Sequence, residues 1–337
     1  MKRIHQLLLI AAAVLTMTAC GGDDEQIIHG AKPIDNSGTN SNSNGGSNGQ
    51  SDSNGQSDSD EGGTTDLSTY TSRYEFPALR GGKSEVIVHT TGDDEMTYAI
   101  EWDHELRAQR WTCFEIYASN RIKKWSRGDW KGATWNGRTW TGDPFQHDPL
   151  VPSSEQPPVS GEFSGSYYPG GGRNDYYQRG HICASEDRVY SQDANGQTFY
   201  MTNMMPQVGN FNGKLWAKLE TQVRTWGALA DTLYVCKGGT IDRDDQILDR
   251  TKSGFIVPRY FWMALLSKKG DTLKAIGFWM EHLNEDHQSD PLSGYVVSID
   301  ELERLTGLDF FCNLSDALES SLESASKNQM VSEWNLY

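Results

Sequence analysis

The chain has 337 residues and a formal charge of −16, from 30 basic against 46 acidic side chains. Such an excess excludes tight, indiscriminate retention on a polyanion, because phosphate binding depends on Lys and Arg displacing counterions. Any grip on nucleic acid must come from a local basic cleft.

The first twenty residues read as a secretory signal. Lys2 and Arg3 lead into an apolar run over 7–14, and small residues follow up to Cys20. The run is too short to span a bilayer, and no later stretch reaches the roughly 18 apolar residues that a span needs. The segment ending Leu15-Thr16-Met17-Thr18-Ala19-Cys20 resembles a bacterial lipoprotein box, with Met17 a departure from the usual residue. The resemblance implies export, cleavage, lipidation of Cys20 and anchoring to the bacterial outer membrane, with display at the cell surface. Plain secretion is the alternative. Residues 21–73 are mostly Ser, Asn, Gly and Asp, too polar to offset their ordering entropy, and are expected to form a disordered tether with a reach of roughly 35–45 Å. Export also implies an oxidising compartment, in which Cys113, Cys183, Cys236 and Cys312 form two disulfides or stay as buried thiols.

One α+β domain is expected over 74–337. Residues 85–91, 96–102 and 111–117 carry the β-branched and aromatic pattern of strands. Residues 121–158 read as loop, with Trp125, Trp130, Trp135 and Trp140 covering the core. A glycine- and tyrosine-rich stretch over 161–174 precedes Gln178-Arg179-Gly180-His181. Residues 197–201, 233–237, 260–266 and 274–280 read as strands. The three- and four-residue spacing of Trp216, Leu219, Val223, Trp226 and Ala230 predicts a helix over 215–230. Ser298 and Glu301 form a capping-box pattern that opens a short helix, stopped at Gly307. Strands gathered around one helix, without βαβ alternation, indicate the α+β class.

Residues 178–224 carry the chemistry. Phosphodiester hydrolysis needs a base for water, positive charge on the phosphate and help for the leaving oxygen. His181 can be the base. Asn212 can hold Mg²⁺, which accepts a single protein oxygen when nearby groups steady its waters. Glu220 and Arg224 are helix neighbours flanking the apolar stripe, and Arg179 shares a face with His181 if the segment is extended. Each has a plainer reading. His181 alone is a structural imidazole, Asn212 before Gly213 a helix N-cap, and Glu220 with Arg224 a surface pair. Asn203 and Gln207 around Pro206 are turn residues. Their joint order favours the chemistry.

That order resembles the DNA/RNA non-specific endonucleases of the ββα-metal (His-Me finger) superfamily, the endonuclease G-like group. The family's Asp-Arg-Gly-His stands here as Gln178 to His181. Its Asn-x-x-Pro-Gln is Asn203 to Gln207, and its Asn-x-x-x-Trp-x-x-x-Glu-x-x-x-Arg is Asn212 to Arg224. The resemblance implies a ββα-metal fold with a mixed, mostly antiparallel central sheet flanked by helices. It implies His181 as general base, Asn212 as the direct Mg²⁺ ligand (Mn²⁺ the substitute) and Glu220 as the residue that steadies the ion's waters. Arg179 and Arg224 would contact phosphate, Asn203 would orient the site, and Gln207 would sit at the substrate. Arg107 is an extra phosphate arginine. Gln178 replaces an acidic residue, and Asp175 is the one nearby carboxylate able to compensate. The expected activity is hydrolysis of DNA and RNA to 5′-phosphate ends, with every contact to phosphate or water and none to a base edge. The competing reading is a surface lipoprotein that binds nucleic acid with little turnover; a third is a diesterase for small substrates.

Overall fold

The computed structural model describes residues 67–92 and 95–337. The signal, Cys20 and most of the expected tether lie outside the described residues. Residues 67–73 do not continue the tether: Ser68–Thr71 is a helical turn whose Tyr70 is buried in the core.

A seven-stranded sheet organises the domain. Its order is Ser84–Thr90, Met96–Asp103, Ala108–Tyr117, Thr232–Gly239, Tyr260–Lys269, Thr272–Glu281 and Val296–Val297. Every neighbouring pair is antiparallel, so the sheet is wholly antiparallel rather than mixed. Its central strands are apolar at successive positions because both faces are covered. Phe261, Met263 and Leu265 pack into one core, while Trp262, Ala264 and Leu266 pack into a second on the opposite side. The second core is closed by the helix Ile299–Thr306. Ser298 caps that helix by accepting from Glu301 N, and Gly307 ends it at φ 70°, a left-handed turn that glycine adopts without penalty.

The first core carries the functional elements. Helix Ala217–Leu229 buries Leu219, Val223 and Trp226 against the sheet. Gly227 permits the approach, since a Cβ there would stand 2.6 Å from Ile116. A two-stranded ribbon, Tyr177–His181 with Met204–Val208, lies alongside. The tryptophan series covers this core as expected: Trp130, Trp135 and Trp140 are buried, and Trp125–Trp130 and Trp130–Trp135 meet at 5.3 and 5.5 Å.

One expected strand is absent, one open choice is decided and two helices are added. Residues 197–201 are not a strand. Ser191 caps a helix over Gln192–Gln197, and tight turns then run through Phe199 and Tyr200. Of the two readings of the cysteines, Cys113, Cys183 and Cys236 take the buried-thiol one, and Cys312 Sγ donates to the Phe76 carbonyl at 3.9 Å. Cys113 faces Cys236 across adjacent strands, and burial pushes both thiols well above their ordinary pKa. Two C-terminal helices, Asp316–Glu323 and Lys327–Glu333, were not expected at all.

Candidate active site

The ribbon and the helix meet at a cleft of about 710 Å³, lined among others by Arg127, Arg179, His181, Asn212, Glu220 and Arg224. Extended backbone at Tyr177–His181 puts Arg179 and His181 on one side, as their spacing requires. Gly180 between them is obligatory. The fully buried Gln207 side chain lies over it, and a Cβ at Gly180 would stand 2.3 Å from Gln207 Oε1. Gln207 is therefore a buried residue packed over Gly180, and it does not line the cleft.

Asn212 lies in a π-helical turn, Phe211–Trp216, that leads into the helix Ala217–Leu229. It is inside the turn and caps nothing, so the N-cap reading is excluded. Wide turns of this kind cluster at functional sites. Asn212 Nδ2 donates to Gln178 Oε1 at 2.8 Å. In that arrangement Nδ2 is taken by Gln178, and Oδ1 is the end left to accept a cation. An oxygen donor so oriented suits a hard divalent ion. Gln178 thus orients the candidate ligand without a charge. Asp175 does not compensate for the missing acid, because its carboxylate accepts from Gly172 N in the preceding hairpin.

His181 is packed by Phe145 and Phe199, at centroid distances of 5.8 and 5.1 Å. Its Nε2 is enclosed without a hydrogen-bond partner. Enclosure first, and the Arg127 charge second, hold the imidazole pKa well below its ordinary value. The ring is therefore neutral throughout the neutral range. Asn203 stands behind this strand, fully buried. Its Nδ2 donates to the carbonyls of Cys183 and Thr198, and its Oδ1 accepts from Cys183 N. It orients the backbone that follows His181 and does not line the cleft.

Arg179 stacks on Phe145 with its guanidinium carbon 3.5 Å from the ring centroid, and Nη1 donates to the Val159 carbonyl at 3.0 Å. No carboxylate pairs with it, and burial lowers its pKa. Arg224 pairs with Asp187 at 3.0 Å. Glu220 accepts from Lys237 Nζ at 3.0 Å, and that ammonium is also 3.9 Å from Asp187. Burial raises the Glu220 pKa, while Lys237 opposes the rise. Arg107 is elsewhere, stacked over Phe255 and donating to the Ser253 carbonyl; it does not line the cleft. Nor is the cleft a basic patch, since Glu162 and Glu186 line it beside Glu220 and the three arginines.

A family model described as DNA/RNA non-specific endonuclease matches residues 85–317, well over half of the chain. The chain belongs to that family. It is 34% identical over 172 residues to a nuclease of Nostoc sp., across 48% of this chain and 59% of the relative. It is 30% identical over 153 residues to mitochondrial endonuclease G of Homo sapiens, across 42% and 50%. The chain thus spans between half and three-fifths of the length of these curated relatives. Among solved structures, a crystal structure of an EndoG/EndoGI complex, concerned with EndoG inhibition, superposes with a TM-score of 0.55 at 22% identity. It covers 75% of this chain and 94% of that one, a likeness of fold.

Sequence reasoning missed two residues of this family site. Arg127 reaches the cleft from the tryptophan loop, where it pairs with Asp143 and lies over Phe199. Nothing local marks it, because a cation in a polar loop is ordinary. Lys237 had a signal: it is a lone charge in the apolar run Leu233-Tyr234-Val235-Cys236, and a lysine buried there needs an acid partner.

Proposed function

We propose that the protein is a divalent-metal-dependent endonuclease, with Mg²⁺ the intended ion and Mn²⁺ a substitute, that hydrolyses DNA and RNA to 5′-phosphate ends. The observation that supports this reading is the Gln178–Asn212 hydrogen bond in a cleft that His181 also lines, so that a neutral oxygen ligand and a neutral imidazole border one space.

Asn212 Oδ1, with Glu220 acting through water, would hold the ion. Once bound, a divalent ion supplies positive charge to the phosphate and to the leaving oxygen. His181 takes the proton of the attacking water, and Nδ1 is the ring nitrogen left to meet it, Nε2 being enclosed. The new water-oxygen–phosphorus bond replaces the bond to the 3′-oxygen, which leaves with the bonding electrons and takes a proton from solvent water to become a hydroxyl, while the imidazolium of His181 returns its proton to solvent. Arg179, stacked on Phe145 and without a carboxylate partner among the described residues, binds the non-bridging oxygens as charge builds there. Lys237 and Asp187 keep Glu220 and Arg224 in place. The binding-only alternative loses one of its two supports, because Gln178 engages Asn212 without a charge; the acidic balance of the chain is the other.

The same reading places the enzyme outside the cytoplasm, lipidated at Cys20, anchored to the outer membrane and displayed on a polar leash, acting on external nucleic acid. Labelled palmitate incorporated by the full chain and lost in Cys20→Ser checks the anchor. For the chemistry, plasmid DNA and a structured RNA are incubated with the soluble domain in Mg²⁺ or in EDTA. Cleavage that needs the metal and disappears in Asn212→Ala is the expected result. Metal-independent cleavage, or none across metals and salts, rejects the proposal.

A further inference from the structure

The hairpin before the His181 strand takes no part in this hydrolytic scheme, yet it carries aromatic surface to the edge of the cleft. Tyr177 N donates to the Ser166 carbonyl at 3.0 Å, and Tyr168 N to the Asp175 carbonyl at 2.9 Å. Tyr167 and Tyr176 are paired antiparallel between those two bonds. They therefore form a non-hydrogen-bonded pair, in which the Cα atoms approach to about 4.5 Å and the side chains stand together on one face. Their chain neighbours turn the other way: Tyr177 is fully buried and Tyr168 packs on the core. Tyr167 and Tyr176 stay 47% and 40% exposed. A single open tyrosine needs no explanation, but two side by side at a cleft do. Tyr176 lines the cleft itself and shares its side of the extended strand with Gln178, two residues on and roughly 7 Å away. The hairpin is pre-set, because Gly171 N donates to Tyr168 O and Gly172 N to the Asp175 carboxylate.

We propose that Tyr167 and Tyr176 form a stacking platform for unpaired nucleobases of the strand whose backbone lies in the cleft, so that single-stranded DNA and RNA are preferred over intact duplex. The inference rests on the nuclease reading of the cleft and adds a substrate class to it. Phosphate contacts cannot tell a single strand from a duplex. An aromatic face can, because duplex bases are stacked on one another and unpaired bases offer a free π-face. Stacking also supplies the sequence-tolerant affinity that a chain of charge −16 cannot draw from long-range electrostatics.

The test compares the soluble domain with Tyr167→Ala/Tyr176→Ala and Tyr167→Phe/Tyr176→Phe. Three substrates are used in Mg²⁺: a mixed-sequence single-stranded oligonucleotide, its blunt duplex, and bis(p-nitrophenyl) phosphate, which has no base. The alanine pair should lose about 10- to 100-fold in kcat/KM on the single strand, with duplex and small diester held within twofold and the phenylalanine pair like wild type. Equal loss on all three substrates, or no loss on the single strand, overturns the platform. Anisotropy of the labelled single strand in EDTA separates this from failure of the nuclease reading. If wild type cuts nothing, that reading fails, and the platform is still judged by whether the alanine pair weakens binding about tenfold or more; unchanged binding overturns it.

Discussion

The molecule treats two arginines and two histidines in opposite ways. Arg110 is buried and saturated: it reaches Asp242, Asp103, Glu101 and Ser84 at once, and its acidic neighbours raise its pKa despite burial. Arg179 in the cleft has one carbonyl, one aromatic face and no carboxylate. His282 is likewise complete, with Nε2 accepting from Val208 N at 2.9 Å and Nδ1 donating to the Pro258 carbonyl at 3.0 Å. His181 has no hydrogen-bond partner at its enclosed nitrogen. Saturated pairing marks scaffold. Withheld pairing costs stability and persists where an outside group supplies the partner.

The sharpest way to break that contrast is His181→Ala. It should lower cleavage by roughly 10²–10⁴-fold in a plasmid assay, while the urea midpoint stays close to wild type, since no hydrogen bond is lost. Arg110→Ala should do the reverse. It strands Glu101 and Asp103, both buried, and should cost about 3–5 kcal/mol of stability by urea denaturation, with cleavage per folded molecule unchanged. Acid tests the histidines next. Burial pulls His282 down to about 4 against about 6.5 in an unfolded chain. Between those values unfolding takes up a proton, so this group's contribution is intact above about pH 6.5 and falls as pH drops toward 4. By pH 5 the loss is on the order of 2 kcal/mol, and NMR titration should find both rings still neutral there. The smallest effect is Gln178→Ala, which frees the Asn212 carboxamide to rotate. Calorimetry with Mn²⁺ should show about 10- to 100-fold weaker binding, and Gln178→Asp, which keeps an acceptor, should recover most of it.

Much of this was legible beforehand, for physical reasons that differ by element. The sheet strands showed themselves because their β-branched and aromatic residues come in short dense runs, and the helix because its stripe recurs at three and four. The site showed itself through the order of polar residues rather than through any one of them. Gln207 misled because a motif position does not say whether a side chain is open or covered, and here its amide is buried over Gly180, out of the cleft. Residues 197–201 misled because an apolar, aromatic run is also what a buried turn needs. Phe199 packs on His181, and Gly196 is pinned beneath Trp135, where a Cβ would meet the ring at 2.6 Å. Arg127 was invisible because its role depends on a loop returning to the ribbon from some fifty residues upstream. The helices at 316–333 carry too few apolar residues for their periodicity to stand out; helix Asp316–Glu323 buries none of its residues.

The wide turn at Phe211–Trp216 also sets an angle. Asn212 and Glu220 are eight positions apart, and in a regular α-helix eight steps of about 100° leave two side chains some 80° out of line. A π-turn absorbs one extra residue, so the effective count is about seven and the offset shrinks to roughly 20°. The motif's spacing and the turn's girth are therefore one geometric fact: eight letters in the chain become two side chains facing the same way only because the coil is loosened between them.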